Sequence, residues 1–299
     1  MENYQRRQSL LPLMLFLGVF FLFSCSRPND SISETPSASS SIENKGSDTI
    51  VNLALAWAEY YQTIQPTVRI SVTGGGSGTG IAALINGTVD IANASRTIKA
   101  EERANAEENG ISPVEFVIAR DAIAIIVNRE NPIDRMTIDQ ISDIYSGKIN
   151  NWAALGGENR PIVRLSRETN SGTHVYFLEN VLRKGDKNDK TLFSPDTLLM
   201  PSSEGISAEI RQNPNAIGYD GLGYVTEDLK VVAVAKSPGD SYVYPSPETV
   251  NNKQYAIARD LYMYTAGEPS EVILEYLEWI LSPEAQEIVG ELGFVPITR

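Results

Sequence analysis

The sequence has very few of the residues from which metal sites and most catalytic sites are built. Its 299 residues include one cysteine, Cys25, and one histidine, His174. A single cysteine excludes disulfides within the chain and thiolate metal sites, and a single histidine leaves zinc without its usual ligands. The carboxylates also show no metal-ligand spacing. We therefore expect no metal, no cofactor and no catalytic thiol.

Positive charge is scarce as well. The chain carries 25 lysines and arginines against 38 aspartates and glutamates, which gives a formal net charge of −13. Such a chain repels the phosphates of DNA and RNA, so we expect no nucleic-acid partner. An anionic ligand would have to be held by a few local donors, because the overall field opposes it.

An apolar run, "LLPLMLFLGVFFLF", follows two arginines near the N-terminus. The order of charged and apolar parts is typical of a secretory signal, and the run is short for a membrane span, although an uncleaved anchor helix shares this pattern. The "LFSC" that follows resembles a bacterial lipobox, apart from the bulky Phe23. We expect residues 1–24 to be a signal peptide. Cys25 is then the lipidated first residue, modified for example by palmitate, which anchors the protein in the periplasm or at the cell surface.

Residues 25–45 are rich in serine, proline and asparagine, which indicates a flexible tether. From Gly46 onward, strand-like and helix-like segments alternate, which predicts an α/β fold with a mostly parallel or mixed sheet. Two long extended runs, at residues 114–128 and 254–265, would suit a pair of strands that connect two lobes. Periodicity alone is equally compatible with one large α/β domain.

The segment "GGGSGTG" stands between a strand-like "VRISV" and a helix-like "GIAALING". No lysine follows at the position that a nucleotide-binding P-loop requires, and no register supplies the G-x-G-x-x-G of dinucleotide-binding proteins. A glycine turn that leads into a helix can still bind an anion through the N–H groups of the helix start. The same residues would also serve as an ordinary turn.

Two further helix starts are rich in hydroxyl groups, "GSDT" at residues 46–49 and "SRETNSGTH" at residues 166–174. Residues of this kind are also common N-caps, so each start alone is weak evidence. Arg167 lies within the second start, and its planar guanidinium suits a tetrahedral oxyanion. Ser95 and Arg96, at the end of "VDIANAS", form a second pair of donors. Together these segments predict an oxyanion site.

The segments "GSDT", "TGGGSGTG", "VDIANASR" and "RETNSGTH", in this order and spacing, resemble the bacterial phosphate-binding lipoproteins of the high-affinity phosphate ABC transporter. The resemblance extends from Gly46 to the C-terminal "GFVPI". It implies a two-lobed periplasmic-binding-protein fold of type II, with a two-strand hinge between lobe I (residues 46–122 and 258–299) and lobe II (residues 123–257). It also implies a non-catalytic monomer that holds phosphate between the lobes and passes it to the transporter's permease subunits. The membrane is then contacted only through the lipid.

The resemblance also implies which residues bind phosphate. Ser77 is expected to act through its hydroxyl and Gly78 through its N–H, while Ser95 is added as a neighbouring donor. At the position of Arg96, some relatives have an aspartate that accepts the phosphate proton, and other relatives have arginine as here. The remaining positions that match the family's pattern are Ser47, Asp48, Thr49, Arg167, Ser171, Gly172 and Thr173.

The missing aspartate raises the question of how phosphate is told from sulfate. At neutral pH phosphate carries at least one proton and sulfate carries none, so a buried acceptor is satisfied by phosphate and left unpaired by sulfate. The candidates are Asp48 and Glu168. Each also has an ordinary interpretation, since Asp48 can cap a helix and Glu168 can pair with Arg167 or Arg96.

Three alternatives to phosphate transport remain. One is a receptor for another tetrahedral oxyanion such as sulfate, molybdate or tungstate, and another is a secreted phosphate-sequestering or adhesin-like protein without a transporter. The third is a phosphoester hydrolase with a Ser171–His174 pair, for which the sequence offers no third residue to orient the histidine. His174 is more simply interpreted as a helix-packing or surface residue.

Overall fold

The computed structural model describes residues 40–297, and over these residues ten strands and nine α-helices form an α/β fold. The strands are β1 (Ser40–Gly46), β2 (Val68–Thr73), β3 (Ile91–Ala94), β4 (Val114–Val127), β5 (Arg135–Thr137), β6 (Val163–Arg167), β7 (Leu198–Met200), β8 (Ala216–Gly221), β9 (Lys230–Ala235) and β10 (Ala258–Thr265). The helices are α1 (Asp48–Ile64), α2 (Ser77–Ile85), α3 (Ala100–Glu108), α4 (Ile138–Tyr145), α5 (Gly172–Phe177), α6 (Ser203–Gln212), α7 (Pro247–Asn251), α8 (Glu271–Ile280) and α9 (Pro283–Glu291).

The strands form a mixed sheet in the order β2-β1-β3-β10-β4-β8-β6-β7, and β9 joins β4 to β5. At one end β1 is parallel to both β2 and β3, and β10 is antiparallel to β3 and β4. At the other end β6 is parallel to β7 and β8. We call the part around β1, β2, β3 and β10 lobe I, and the part around β5 to β9 lobe II.

Strand β4 connects the two lobes. Its 14 residues pair with β10 up to Ala122 and with β8 from Ile123 onward. Its second half, residues 121–127, is fully buried, which explains why it reads as one apolar run and not as an alternating pattern. The change of partner falls at the predicted lobe boundary between residues 122 and 123, and the boundaries along the rest of the chain remain a prediction.

Each lobe has its own apolar core. In lobe I, Trp57 of α1 is fully buried and its indole Nε1 donates a hydrogen bond to the Ala285 carbonyl of α9, 2.8 Å away. In lobe II, the rings of Phe177 and Tyr219 stack with centroids 3.6 Å apart, and Tyr145 meets both rings edge-on. Burial of these side chains stabilises each lobe separately and holds the strand ends between them in fixed positions.

Several predicted boundaries differ from the structure. Strand β1 begins at Ser40, within the segment that was predicted to be a tether up to residue 45. Its sequence, "SSIENKG", is polar, but it pairs with strands on both sides, and these backbone hydrogen bonds compensate for the shortage of apolar residues. Strand β10 begins at Ala258 and not at residue 254, and α5 is continued by a π-helical turn, Leu178–Leu182.

The predicted signal peptide, Cys25 and the tether up to residue 39 lie outside the described residues. Within residues 40–297, no helix is both long and apolar enough to cross a membrane.

Candidate functional site

The first residues of α1, α2 and α5 meet between the two lobes. The hydroxyl oxygens of Thr49 and Thr173 are 2.8 Å apart and buried. A Cβ atom added to Gly172 would overlap the Ser77 hydroxyl and lie 2.6 Å from the Ser95 hydroxyl, so a side chain here would force these groups apart. Ser77 also accepts a hydrogen bond from the Ser95 N–H, at 3.0 Å. Three helix N-termini, with the positive ends of their dipoles, therefore point into one place.

The glycine run of lobe I receives Asn170 of lobe II. The Asn170 carbonyl accepts the Gly78 N–H at 3.0 Å, and its side-chain Nδ2 donates to the Gly75 carbonyl at 2.9 Å. Gly76 has a φ of +94°, and a Cβ there would lie 2.8 Å from the Asn170 carbonyl oxygen. The glycines thus give space to a protein segment, and the Gly78 N–H, expected to face phosphate, is paired with Asn170 in this structure.

Arg167, at the end of β6, is almost completely buried. Its Nη2 lies 2.9 Å from Asp48 Oδ2 and donates to the Pro201 carbonyl, and its Nη1 donates to Ser203 Oγ at 2.8 Å. Asp48 Oδ2 also accepts the Ser203 N–H at 3.0 Å. The remaining donor, Arg167 Nε, is buried without a hydrogen-bond partner among residues 40–297. Most buried donors in proteins are paired, so this one indicates a position where an acceptor is missing.

Arg96, after β3, shows the same feature in lobe I. Its two terminal nitrogens bind the Glu102 carboxylate at 2.6 and 2.8 Å, and Nη1 also donates to the Thr97 carbonyl. Burial opposes ionisation of Glu102, but hydrogen bonds from Arg96 and from the Lys99 N–H hold its pKa below the usual value. Within the part of the chain that the structure describes, Arg96 Nε is buried and unpaired.

Arg259 of β10 was not predicted and joins the lobes at the base of the site. It forms a buried ion pair with Asp121 of β4 at 2.8 Å, donates to Thr173 Oγ1 at 3.0 Å, and donates to the Ser95 carbonyl at 2.9 Å. A signal in the sequence could have revealed it, because "IARD" occurs in both connecting strands, at residues 118–121 and 257–260. The antiparallel register opposes each arginine to the other strand's aspartate, so Arg120 also pairs with Asp260, at 3.3 Å.

Asp220, near the end of β8, was not predicted either. It is fully buried, and its Oδ1 accepts hydrogen bonds from Ser203 Oγ and the Gly221 N–H, both at 2.8 Å. Its Oδ2 is buried and finds no partner within residues 40–297. Burial raises the pKa of Asp220 to about 7, although the charge of Arg167 opposes this shift. The only sign in the sequence is one carboxylate in the otherwise uncharged "AIGYDGLGYV".

The structure does not bring every predicted residue into the site. Ser47 is buried and its N–H donates to the Asn93 carbonyl at 2.8 Å, but within the described range its hydroxyl forms no capping bond to α1. Ser171 caps α5 through the Thr173 N–H, at 3.2 Å. Glu168 is exposed, and the arginines that it was expected to pair with bind Asp48 and Glu102 instead.

His174 is a buried packing residue. Its Nδ1 lies 3.0 Å from Ser166 Oγ, its ring stacks on Phe193, and burial lowers its pKa. The Ser171 hydroxyl is engaged with a backbone N–H and not with this ring. Within residues 40–297, no three histidine, cysteine, aspartate or glutamate side chains come together in a way that could hold a metal ion.

The charges around the site balance closely. Three guanidinium groups, of Arg96, Arg167 and Arg259, are paired with the carboxylates of Glu102, Asp48 and Asp121. Asp220 adds a fourth carboxylate. Any anion bound here is therefore held by hydrogen-bond donors and helix N-termini more than by net positive charge.

Known proteins are similar to this chain in sequence and in fold. A family model described as a PBP superfamily domain matches residues 32–284. The chain is 33% identical over 276 residues to the phosphate-binding protein PstS of Pseudomonas aeruginosa, covering 87% of this chain and 84% of that one. It is 29% identical over 302 residues to PstS of Bacillus subtilis, covering 98% and 95%.

A solved structure agrees with these relatives. The crystal structure of a putative phosphate ABC transporter substrate-binding protein with bound phosphate, from Clostridium perfringens, is 34% identical and superposes with a TM-score of 0.76, covering 86% of this chain and 100% of that one. The two-lobed α/β fold of the described residues is thus the fold of periplasmic phosphate-binding proteins. The chain belongs to the PBP superfamily and, within it, to the PstS family of phosphate-binding proteins.

Proposed function

We propose that this protein captures inorganic phosphate between its two lobes and delivers it to the permease of an ABC transporter. The observation that carries the proposal is the pair of buried arginines, Arg96 from lobe I and Arg167 from lobe II. Each leaves its Nε without an acceptor among the described residues. A phosphate oxygen is an acceptor of the kind that a guanidinium N–H binds well. The P. aeruginosa relative is named as a phosphate-binding protein, and the C. perfringens structure holds phosphate.

The proposed ligands around these arginines come from the starts of α2 and α5 and from the residue that follows β3. Ser77 and Ser95 offer hydroxyls from lobe I, while Gly172 offers its N–H from lobe II. The Thr173 N–H is bound to Ser171 Oγ, so Thr173 is secondary in the proposal. Ser47, Asp48, Thr49 and Ser171 shape the starts of α1 and α5 and are secondary as well. The proposal does not include Glu168, because it is exposed, or the Gly78 N–H, because it is bonded to the Asn170 carbonyl.

Closure of the lobes couples binding to delivery. Contacts between the lobes include Asn170 with the glycine run, Thr49 with Thr173, and Asp48 with Ser203. Phosphate that binds one lobe first and is then contacted by the other has a higher affinity for the closed state, so it shifts the population toward closure. The closed form is then the one presented to the permease. No bond of phosphate is made or broken in this cycle.

We also propose that the protein acts as a monomer outside the cytoplasm, anchored by a lipid on Cys25. The "LFSC" motif after a signal-like segment supports the anchor. Expression of the full chain in a bacterial host tests it. The wild type is expected in the membrane fraction with lipid on its N-terminal peptide, and Cys25→Ser in the soluble or secreted fraction. A wild-type protein without lipid on Cys25 would exclude this anchor.

Calorimetric titration tests the ligand. A chain that begins at Ser26 retains the whole compact unit of residues 38–299. We expect one phosphate per chain with strong preference over sulfate and molybdate. Tighter binding of sulfate, molybdate or tungstate would identify a different oxyanion receptor, and no binding of any of them would contradict the proposal.

A further inference from the structure

The proposed site contains a buried acceptor that no donor among residues 40–297 satisfies. Asp220 is fully buried, Ser203 and the Gly221 N–H both bind its Oδ1, and Oδ2 has no partner within the described chain. A buried carboxylate oxygen without a hydrogen bond has lost its hydration and gained no partner in return, which destabilises the protein. Structures keep such a group when a ligand or a switch uses it.

The position of Asp220 links it to the proposed phosphate ligands. Ser203 Oγ donates to Asp220 Oδ1 and accepts from Arg167 Nη1, each at 2.8 Å. Arg167 Nε, the unpaired donor, and Asp220 Oδ2, the unpaired acceptor, thus belong to one three-residue network over residues 40–297. A protonated oxyanion supplies what both lack, because one oxygen accepts from the arginine and an O–H donates to the carboxylate.

We propose that Asp220 accepts the proton of bound phosphate and is the residue that excludes sulfate. This inference rests on phosphate being the ligand. Sulfate carries no proton at neutral pH, so it would leave Asp220 Oδ2 unpaired and place its charge against a carboxylate.

The other carboxylates near the site are either engaged with protein donors or exposed. Asp48 Oδ2 accepts from Arg167 and from the Ser203 N–H, Asp121 pairs with Arg259, and Glu168 is exposed. Asp220 therefore takes the role for which Asp48 and Glu168 were the candidates from the sequence.

The surroundings of Asp220 favour a shared proton. The charged and titratable groups that act on it or share its network are Arg167 on β6, Asp121 on β4, Asp48 on α1, Tyr219 on β8, and Tyr224 in the turn after β8. Arg259 of β10 neutralises Asp121. The pKa of Asp220, raised by burial to about 7, is close to that at which phosphate loses its second proton. The bound state holds one proton between them, on either oxygen.

Sulfate binding must then take up a proton from solvent. Above pH 7 the Asp220 carboxylate is ionised and opposes sulfate, and below pH 7 it is increasingly protonated and can donate. Sulfate affinity should therefore rise as pH falls, by up to about tenfold per pH unit above pH 7, and level off below it. Phosphate brings its own proton and needs no such uptake.

The experiment measures phosphate and sulfate affinity at pH 6, 7 and 8 for the wild type and three variants. Asp220→Asn replaces Oδ2 by a permanent donor of the same shape. We expect about tenfold or greater loss of phosphate affinity, with sulfate bound more tightly than by the wild type at pH 8 and equally at all three pH values. Ser203→Ala, which removes the bridge to Arg167, should weaken both anions alike and keep their ratio.

Each outcome has one meaning. Asp220→Asn with unchanged selectivity, or Asp48→Asn with the selectivity change expected of Asp220→Asn, would overturn the inference. If Asp220→Asn does not fold, the wild type decides, because sulfate affinity that is constant from pH 6 to pH 8 also overturns it. A wild type that does not bind phosphate would instead refute the proposed function.

Discussion

At the scale of single residues, buried arginines differ in whether their N–H donors are paired within the protein or left without an acceptor. Arg164 and Arg167 both lie on β6 and are both about 1% exposed. Arg164 donates to the Ile149 carbonyl and pairs with Asp196, whereas Arg167 keeps Nε unpaired within the described residues. Burial alone, which sequence can suggest, does not distinguish the two roles.

This contrast gives a matched pair of variants. Arg167→Ala should weaken phosphate binding by about tenfold to a hundredfold, because a charged hydrogen bond contributes about 1.5–3 kcal/mol. Arg164→Ala should instead lower the free energy of unfolding and leave the affinity of the folded protein within about twofold. Calorimetry and urea unfolding of both variants check this. Arg167→Ala with wild-type affinity would remove Arg167 from the ligands.

Gly172 is the residue whose size matters most for closure. A methyl group there would overlap the Ser77 hydroxyl and press on that of Ser95, both on the opposite lobe. Gly172→Ala should therefore reduce phosphate affinity by more than about tenfold, while the open form, free of the clash, keeps its unfolding midpoint. Gly267→Ala is the control, since nothing lies within 4 Å of its added Cβ. Equal affinities in the two variants would contradict the closed geometry.

The site residues divide by how the sequence reveals them. Some of them lie in local motifs near strand ends, where the order of strand, polar turn and helix along the chain is enough to suggest a site. These are Ser77, Arg96, Arg167 and Thr173. Asp220 and Arg259 come from separate strands and acquire their roles only through pairing with β4 and contact with α5 or Ser203. The repeated "IARD" marks Arg259, but no local pattern specifies which strand will lie beside which, so the roles of both residues are established only by the fold.

At the scale of elements, strands with many apolar residues were predictable and polar ones were not. The apolar run of β4 predicted a long strand, and the structure has one at Val114–Val127. Strand β1 reads as part of a serine-rich tether, because its stability comes from backbone pairing with β2 and β3 over residues 40–46. Alternation of buried and exposed residues is present in it, but Ile42 is its only large apolar side chain.

Helix α1 also shows how packing fixes an element that carries site residues at its start. Trp57 Nε1 donates to the Ala285 carbonyl, which holds α1 against α9. Trp57→Phe removes this bond and leaves the carbonyl unpaired in the core, which should lower the free energy of unfolding by about 1–3 kcal/mol. Phosphate affinity should stay within about twofold, because the site residues Asp48 and Thr49 lie at the start of α1, about two turns before Trp57. Unfolding in urea with parallel calorimetry checks both values, and unchanged stability would show that the bond contributes little.

At the scale of the whole molecule, two strands carry both the connection and the base of the site. β4 and β10 pair in antiparallel register, and their "IARD" segments place the Arg259–Asp121 pair under α5. A hinge placed here would let lobe II move without breaking that ion pair, since both partners belong to the connecting strands. This favours the proposed division at residues 122 and 258. Periodicity left one large domain open as an alternative, because it describes segments and not how they group.

The contact of Asn170 with the glycine run joins the lobes only when they are closed, so its energy acts on the closing equilibrium and not on either lobe alone. Asn170→Ala removes the bond from Nδ2 to the Gly75 carbonyl but keeps the main-chain bond from Gly78. A neutral hydrogen bond contributes about 0.5–1.5 kcal/mol, so phosphate affinity should fall about twofold to tenfold. The loss should appear as faster dissociation with a nearly unchanged association rate, because the first lobe still meets phosphate in the same way. Stopped-flow measurement of phosphate binding to Asn170→Ala checks this, with Thr169→Ala at the exposed neighbouring position as the control. A slower association with unchanged dissociation would contradict it, because Asn170 would then act before the lobes close and not by stabilising the closed form.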